Sequence, residues 1–289
     1  MPGEERVSTG DAPAGAGPGS DLRVRTASAL VLGAAALLAM WVGGWPLAVL
    51  WWLGGICILY EWLRMVRAQP NALLLGVLGF GLTMLAVELH LDRGALGQAA
   101  TTCAAGLAAA LLLGTSGRDR LWAAAGFLYA AVIVAVPPLV RADPARGLVG
   151  LAWMFAVVWA TDIAGYFVGR GLGGPKLWPR VSPKKTWSGF LGGVTAGTLA
   201  GLGVVLVAAG HFAWVSAWSA PAVVFLSALA AVASQGGDLA ESALKRRYGV
   251  KDSSQLIPGH GGVMDRLDGF WTVAAGVGLG LVLPALLKG

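Results

Sequence analysis

The sequence predicts an all-α fold, that of a polytopic integral membrane protein with about nine transmembrane helices. Hydrophobic residues make up 56% of the 289 residues and charged residues only 12%, so the chain lacks the polar side chains that would cover a water-soluble surface. Apolar stretches of about 17 to 25 residues, which cross a bilayer as helices, recur along the chain. The 44 glycines favour close helix packing in lipid.

The predicted spans follow one another with short polar breaks between them. Residues 1–20 are predicted to form a disordered cytoplasmic tail, because they offer too little apolar surface to offset the entropy of ordering. Residues 21–150 are predicted to form the N-terminal transmembrane helices, and residues 151–289 the C-terminal region that carries the candidate catalytic residues. The spans are expected near residues 26–42, 47–64, 71–89, 95–113, 121–140, 148–168, 189–209, 219–239 and 267–287.

The distribution of positive charge predicts the orientation of the chain. With nine spans, 17 of the 21 Lys and Arg residues fall on the side of the N-terminus, which the positive-inside rule assigns to the cytoplasm. The two longest loops, 169–188 and 240–266, then share the cytoplasmic side. The basic residues form no soluble basic face, which excludes nucleic acid as a partner. Cys57 and Cys103 lie in apolar stretches, which argues against a disulfide framework or a Cys-ligated zinc site.

The end of the eighth span carries unusual charge for a membrane segment. If residues 236–247 stay helical, Asp238, Glu241, Ser242 and Lys245 share one helix face at the membrane boundary. An ionisable residue near membrane depth is costly, so it marks a candidate functional site. The alternative interpretation is a simple ion pair between Asp238 and Lys245.

The next segment, residues 257–268, combines a glycine-rich loop with acidic residues. Glycines beside His260 let backbone N–H groups approach an anion closely, and Asp265 and Asp268 share one face of the following helix start. Carboxylates near phosphates suit Mg²⁺. Capping of that helix by Asp265 or Asp268 is the alternative, but it leaves His260 and Arg266 unexplained.

Two upstream segments add a carboxylate and a pair of lysines. Asp162 lies about two turns before the end of the sixth span, where a ligand role and a charge pair with a neighbouring helix account for it equally well. Lys184 and Lys185 stand between Ser182 and Thr186 at a helix start, a pattern typical of a phosphate site. Anchoring at the cytoplasmic face is the alternative for these lysines.

Two further acids are interpreted as structural. Glu61 and Glu88 lie toward span ends, where snorkelling or pairing with Arg64 and Arg93 is the favoured role. The chain has no P-loop lysine motif, dinucleotide fingerprint or serine nucleophile elbow.

The C-terminal half, over about residues 155–289, resembles the phosphatidate cytidylyltransferases. The long signature of that family is matched by Ser242, Lys245, Arg246, Lys251, Asp252, Pro258, His260, Asp265, Arg266 and Asp268, with the intervening glycines. The Thr161-Asp162 segment and the segment from Ser182 through Lys184 and Lys185 to Thr186 resemble further motifs of the family. The first 150 residues resemble it only as generic spans.

The resemblance implies synthesis of CDP-diacylglycerol from CTP and phosphatidic acid, with release of pyrophosphate. It implies Mg²⁺ and a second cation such as K⁺ as cofactors. The expected location is the cell inner membrane, with the active site on the cytoplasmic side and a groove between the sixth, eighth and ninth spans that admits the lipid. Membrane lipids are expected partners, and a homodimer is a further expectation.

The resemblance also assigns roles to particular residues. The implied metal ligands are Asp238 and Asp265, supported by Asp268 and Asp162. The expected catalytic residues are Asp238, Asp265, Lys245, Arg266 and His260, and the expected substrate-binding residues are Ser182, Lys184, Lys185, Thr186, Ser242, Arg246 and Lys251. Two alternative functions stay open: a CTP-dependent kinase of a polyprenol or similar lipid alcohol, which needs a base, and an ion-coupled transporter that uses Asp162 and Asp238 as a relay.

Overall fold

A computed structural model describes residues 18–66, 72–91, 96–213, 215 and 218–286. Within these ranges the chain forms nine α-helices and one short β-hairpin. The helices are α1 (Pro18–Val42), α2 (Gly44–Met65), α3 (Ala72–Leu91), α4 (Leu96–Leu113), α5 (Gly117–Arg141), α6 (Gly147–Leu172), α7 (Trp187–Ala209), α8 (Ala220–Arg247) and α9 (Met264–Leu286). Strands β1 (Lys176–Trp178) and β2 (Ser182–Thr186) pair antiparallel between α6 and α7. The all-α prediction is confirmed, and the hairpin is an addition to it.

Seven of the described helices, α2, α3 and α5 to α9, are long and apolar enough to cross a membrane. Helices α1 and α4 contain shorter apolar segments, Thr26–Val42 and Gly97–Leu113. The prediction of a multi-pass membrane protein is therefore confirmed, while the count of nine spans and the cytoplasmic N-terminus stay predictions. Most of the predicted tail, residues 1–17, lies outside the described residues.

Close packing of α7 on α6 depends on a row of glycines. Gly189, Gly193 and Gly197 recur every fourth residue along α7 and are buried. A Cβ atom on Gly193 would stand only 2.7 Å from the carbonyl oxygen of Thr161, so a larger residue would push the helices apart. This contact fixes the part of α6 that carries Asp162.

One apolar core joins the N-terminal and C-terminal helices. Ile58 of α2, Phe127 of α5, Met154 of α6 and Met264 of α9 are all fully buried in the same cluster. Helices α2 and α5 both pack against α9. The start of α9, and the loop before it, therefore rest on helices from the first half of the chain.

Candidate active site

Three carboxylates converge from three different helices, α6, α8 and α9. Asp162 comes from α6, Asp238 from α8 and Asp268 from α9, and each lies within electrostatic range of the other two. We call this group the acidic cluster. Like charges at membrane depth repel strongly. The cluster therefore has the chemistry of a site that binds a cation.

A lysine of the β-hairpin, Lys185, contacts the acidic cluster. The ammonium of Lys185 lies 2.6 Å from Oδ2 of Asp238, and their side chains are 23% and 32% exposed. The hydroxyl of Ser242 donates to Oδ1 of Asp238 at 3.3 Å. Since side chains alternate along a strand, Lys184 is exposed while Lys185 is half-buried. The partly solvated pair is weak enough to exchange for a ligand.

A second charged group on α8 is closed to solvent. The ammonium of Lys245 lies 3.0 Å from Oε1 of Glu241 and 2.6 Å from Oδ1 of Asp265, and the three side chains are 10%, 2% and 6% exposed. We call these residues the closed cluster. The alternative pair between Asp238 and Lys245 is therefore wrong. Helix α8 does run unbroken to Arg247. Its charged residues, however, belong to different clusters: Asp238 to the acidic cluster, and Glu241 and Lys245 to the closed cluster.

The loop before α9 folds around the closed cluster. Oδ2 of Asp265 accepts hydrogen bonds from the backbone N–H of Gly262 at 2.8 Å and from the N–H and hydroxyl of Ser253 at 2.9 and 3.0 Å. Together with the bond from Lys245, these donors engage both oxygens of the carboxylate. A metal would therefore have to replace the ammonium of Lys245 in order to reach Asp265.

His260 lies at the tip of this loop and is held from two sides. Gly259 and Gly261 on either side have φ angles of 75° and 81°, a backbone region that favours glycine. The guanidinium of Arg266 donates to the carbonyl oxygen of His260 at 3.0 and 2.8 Å. The imidazole Nδ1 lies 2.8 Å from the hydroxyl of Ser28 on α1. The phosphate-binding role of His260 stays a prediction.

Glu61 of α2 is the residue of this site that sequence reasoning missed. Its side chain is fully buried and contacts four hydrogen-bond donors of the same loop. Oε1 accepts from the hydroxyl of Ser254 at 2.6 Å and the N–H of Val263 at 2.8 Å. Oε2 accepts from the N–H of Met264 at 2.8 Å and lies 3.0 Å from the hydroxyl of Ser253, whose single proton it shares with Asp265. Glu61 thus caps α9 from a distant part of the chain.

The predicted partners of the two structural acids differ from the observed ones. Arg64 donates to the hydroxyl of Tyr60 at 3.0 Å, so the proposed pairing or snorkelling of Glu61 is wrong. Glu88 accepts a hydrogen bond from Thr102 at 2.8 Å, and its predicted partner Arg93 lies outside the described residues. A carboxylate inside an apolar helix must find donors, which was the available signal, but sequence spacing alone could not reveal donors two hundred residues away.

The remaining predicted substrate-binding residues lie outside the two clusters and have other partners or are exposed. Thr186 caps α7 by accepting from the N–H of Gly189 at 3.1 Å, and Arg246 donates to the carbonyl oxygen of Val250 at 3.1 Å. Lys251 is exposed. Their substrate-binding roles, like those of Ser182 and Lys184, stay predictions.

The donor set fits a divalent metal that arrives with phosphate. No group of three or more His, Cys, Asp or Glu side chains, within the part of the chain that the structure describes, is arranged to hold a metal ion. Mg²⁺, however, commonly takes only one or two protein carboxylates and completes its shell with water and substrate phosphate oxygens. Asp238 supplies such a carboxylate, with its lysine partner exchangeable. Asp162 and Asp268 add negative charge around the same place.

The fold defines a multi-pass membrane protein with a cluster of carboxylates and a lysine where three helices meet. The sequence model of the cytidylyltransferase family matches residues 23–282, and the chain belongs to this family. It is 42% identical over 261 residues to the phosphatidate cytidylyltransferase of Brucella suis biovar 1 (strain 1330), which covers 89% of this chain and 92% of that protein.

Some other matches cover less than half of the chain. The phosphatidate cytidylyltransferase of Bacillus subtilis (strain 168) is 45% identical over 126 residues, which is 42% of this chain and 44% of that protein. The phosphatidate cytidylyltransferase of Haemophilus influenzae (strain ATCC 51907 / DSM 11121 / KW20 / Rd) is 44% identical over 126 residues, which is 44% of this chain and 43% of that protein. The family match reaches well into the first 150 residues, further than sequence motifs alone indicated.

Proposed function

We propose that the protein is a phosphatidate cytidylyltransferase, which transfers CMP from CTP to phosphatidic acid and releases pyrophosphate. The relatives that match most of the chain carry this name. The observation that carries the proposal is the acidic cluster with Lys185 beside it, because this combination suits a metal-bound nucleotide at the surface of a membrane. The proposed location is the cell inner membrane, with the site facing the cytoplasm, where CTP is available.

The reaction needs positioning and charge neutralisation more than proton transfer. An oxygen of the lipid phosphate attacks the α-phosphorus of CTP, the bond from that phosphorus to the bridging oxygen of the β-phosphate breaks, and pyrophosphate leaves in line. A phosphate monoester is already ionised near neutral pH, so no general base is required. The protein therefore has to bring two anions together and stabilise the leaving group.

Both positioning and charge neutralisation can come from side chains of the site, with a lysine for the nucleotide phosphate and carboxylates for the metal. Lys185 would leave Asp238 and meet a phosphate of CTP, while Asp238, assisted by Asp162 and Asp268, would hold Mg²⁺. When bound, the metal neutralises charge on the transferring and leaving oxygens. Arg266, at the start of α9, donates to the carbonyl oxygen of His260. From this position its guanidinium could also reach the phosphates of CTP and of the lipid. A second cation such as K⁺ is part of the proposal through family resemblance.

An apolar cavity supports access for a lipid. A cavity of about 530 Å³ is lined mainly by α6, α8 and α9, the three spans between which a lipid groove was predicted, and also by residues of α5, α7 and the α5–α6 loop, among them Asp143 and Arg146. Its lining includes Ala233 and Thr272, which lie about one turn along their helices from Asp238 and Asp268. Met154 closes the wall on α6. An acyl chain lying here would leave its phosphate near the acidic cluster.

The proposed reaction is tested by pyrophosphate release from the purified protein in detergent. Release is expected only when CTP, phosphatidic acid and Mg²⁺ are all present, and omission of each serves as a control. Formation of CDP with a polyprenol in place of phosphatidic acid would instead establish the kinase alternative. Silence with both lipids would contradict enzymatic use of CTP and favour transport.

A further inference from the structure

Glu61 connects the first half of the chain to the loop that carries the family signature. It lies on α2, about two hundred residues from its four hydrogen-bond donors on Ser253, Ser254, Val263 and Met264. Each carboxylate oxygen lies within hydrogen-bond distance of one hydroxyl and one backbone N–H. Two backbone N–H groups and the Ser254 hydroxyl donate to Glu61, and the single proton of the Ser253 hydroxyl is shared with Asp265, so most of the lost hydration of the buried carboxylate is compensated. Both ends of the loop, at Ser253 and Ser254 and at Val263 and Met264, are therefore bound to the one side chain of Glu61.

The glycine at position 262 supports the same arrangement independently. A Cβ atom there would overlap the hydroxyl of Ser253 and stand 2.7 Å from both carboxylate oxygens of Glu61. The N–H of Gly262 also donates to Asp265 at 2.8 Å. The loop therefore packs against two carboxylates, those of Glu61 and Asp265, and position 262 has no room for a side chain.

We propose that Glu61 is a positioning residue for cytidylyl transfer, which fixes the 253–264 loop and the start of α9 so that Arg266 and Asp268 are held in position for the reaction. The inference rests on the proposed function. Glu61 itself is buried away from solvent and would not touch either substrate. Its effect is transmitted through the backbone N–H groups of Val263 and Met264, where the loop enters the helix that carries Arg266 and Asp268.

The variant Glu61→Gln tests this inference with a nearly isosteric change. Whichever way the amide is turned, its NH₂ group faces a backbone N–H, so a donor meets a donor and one end of the loop loses its acceptor. Since small misplacements of reactive groups reduce rates by about a hundredfold, kcat is expected to fall by about that factor. The KM for CTP is expected to change by less than about threefold, because the groups that bind the ground state are mostly elsewhere.

A matched control and a milder variant separate positioning from general damage. Glu88→Gln changes a carboxylate on α3 that accepts from Thr102 and lies outside both clusters, and it should keep the wild-type kcat. Ser254→Ala removes one partner hydroxyl and leaves Glu61 in place, so it should reduce kcat by a smaller factor, about three- to tenfold. If Glu61→Gln does not fold, the Ser254→Ala variant still carries the test.

Hydrogen exchange of the peptide covering residues 253–264 supplies a readout beyond activity. Exchange in this peptide is expected to accelerate at least about tenfold in Glu61→Gln, while peptides from α6 and α7 stay at the wild-type rate. Wild-type kcat in both variants, or lost activity without faster loop exchange, would overturn the inference. A wild-type protein that releases no pyrophosphate would instead contradict the proposed function, and loop exchange alone would then decide whether Glu61 holds the loop.

Discussion

The acidic cluster and the closed cluster contain the same kinds of side chains but differ in how far their hydrogen-bonding capacity is filled. In the acidic cluster, Asp238 is about one-third exposed and shares one lysine, while Asp162 is exposed and close to like charges. In the closed cluster, Asp265 is 6% exposed and both of its oxygens are engaged. From this comparison we expect unbalanced charge at membrane depth to mark a ligand site, and charge whose partners are all in place to hold the loop and helices together.

The largest effect is expected for Asp238→Asn. This change removes the carboxylate charge that would hold Mg²⁺ while leaving the shape of α8 intact, so turnover should fall by about a thousandfold or more. The free energy of unfolding should hardly change, because the lost ion pair with Lys185 is partly solvated and such pairs contribute little. Asp119→Asn, at the exposed start of α5, is the control. A variant that turns over at the wild-type rate would show that the acidic cluster is not the metal site.

The second prediction concerns the closed cluster, where stability should change as well. Asp265→Asn leaves the buried ammonium of Lys245 with Glu241 alone and removes the charge around which the loop folds. Breaking a buried pair costs about 3 kcal/mol or more, so the free energy of unfolding in mixed micelles should fall by about that amount. Activity should be lost too. Full stability in this variant would remove the distinction between the two clusters.

A smaller effect is expected for Lys185→Gln. Loss of one ammonium near the nucleotide phosphates should raise the KM for CTP by about tenfold, the order expected for one charged hydrogen bond. Lys176→Gln changes an exposed lysine on the neighbouring strand β1 and should leave KM unchanged. Equal KM values for both variants would place the nucleotide away from the hairpin.

The helices were largely predictable because the length of an apolar stretch can be read from neighbouring residues in the sequence. Each predicted span overlaps a helix of the structure, and α8 continues through Asp238 to Arg247 as its charged face required. The hairpin at 176–186 escaped prediction because its strands are three and five residues long, too short for a periodic signal.

The site was predictable only in part because its contacts join distant segments. Helical spacing placed Asp238, Ser242 and Lys245 on one face, but the division of that face depends on what packs against it. Lys185 approaches from the hairpin and Asp265 from the start of α9. Glu61 could be recognised as a buried acid in need of donors, whereas its donors on the 253–264 loop follow from tertiary packing of α2 on α9.

The central claim is that CMP, and not the terminal phosphate of CTP, passes to a phosphatidate bound beside the acidic cluster. The measurement that tests it most directly follows two samples of CTP, one labelled at the α-phosphorus and one at the γ-phosphorus, during turnover with phosphatidic acid and Mg²⁺. The account predicts that the α-label enters the organic-soluble lipid while the γ-label is found only in pyrophosphate. Entry of the γ-label into the lipid, or failure of the α-label to enter it, would contradict the account.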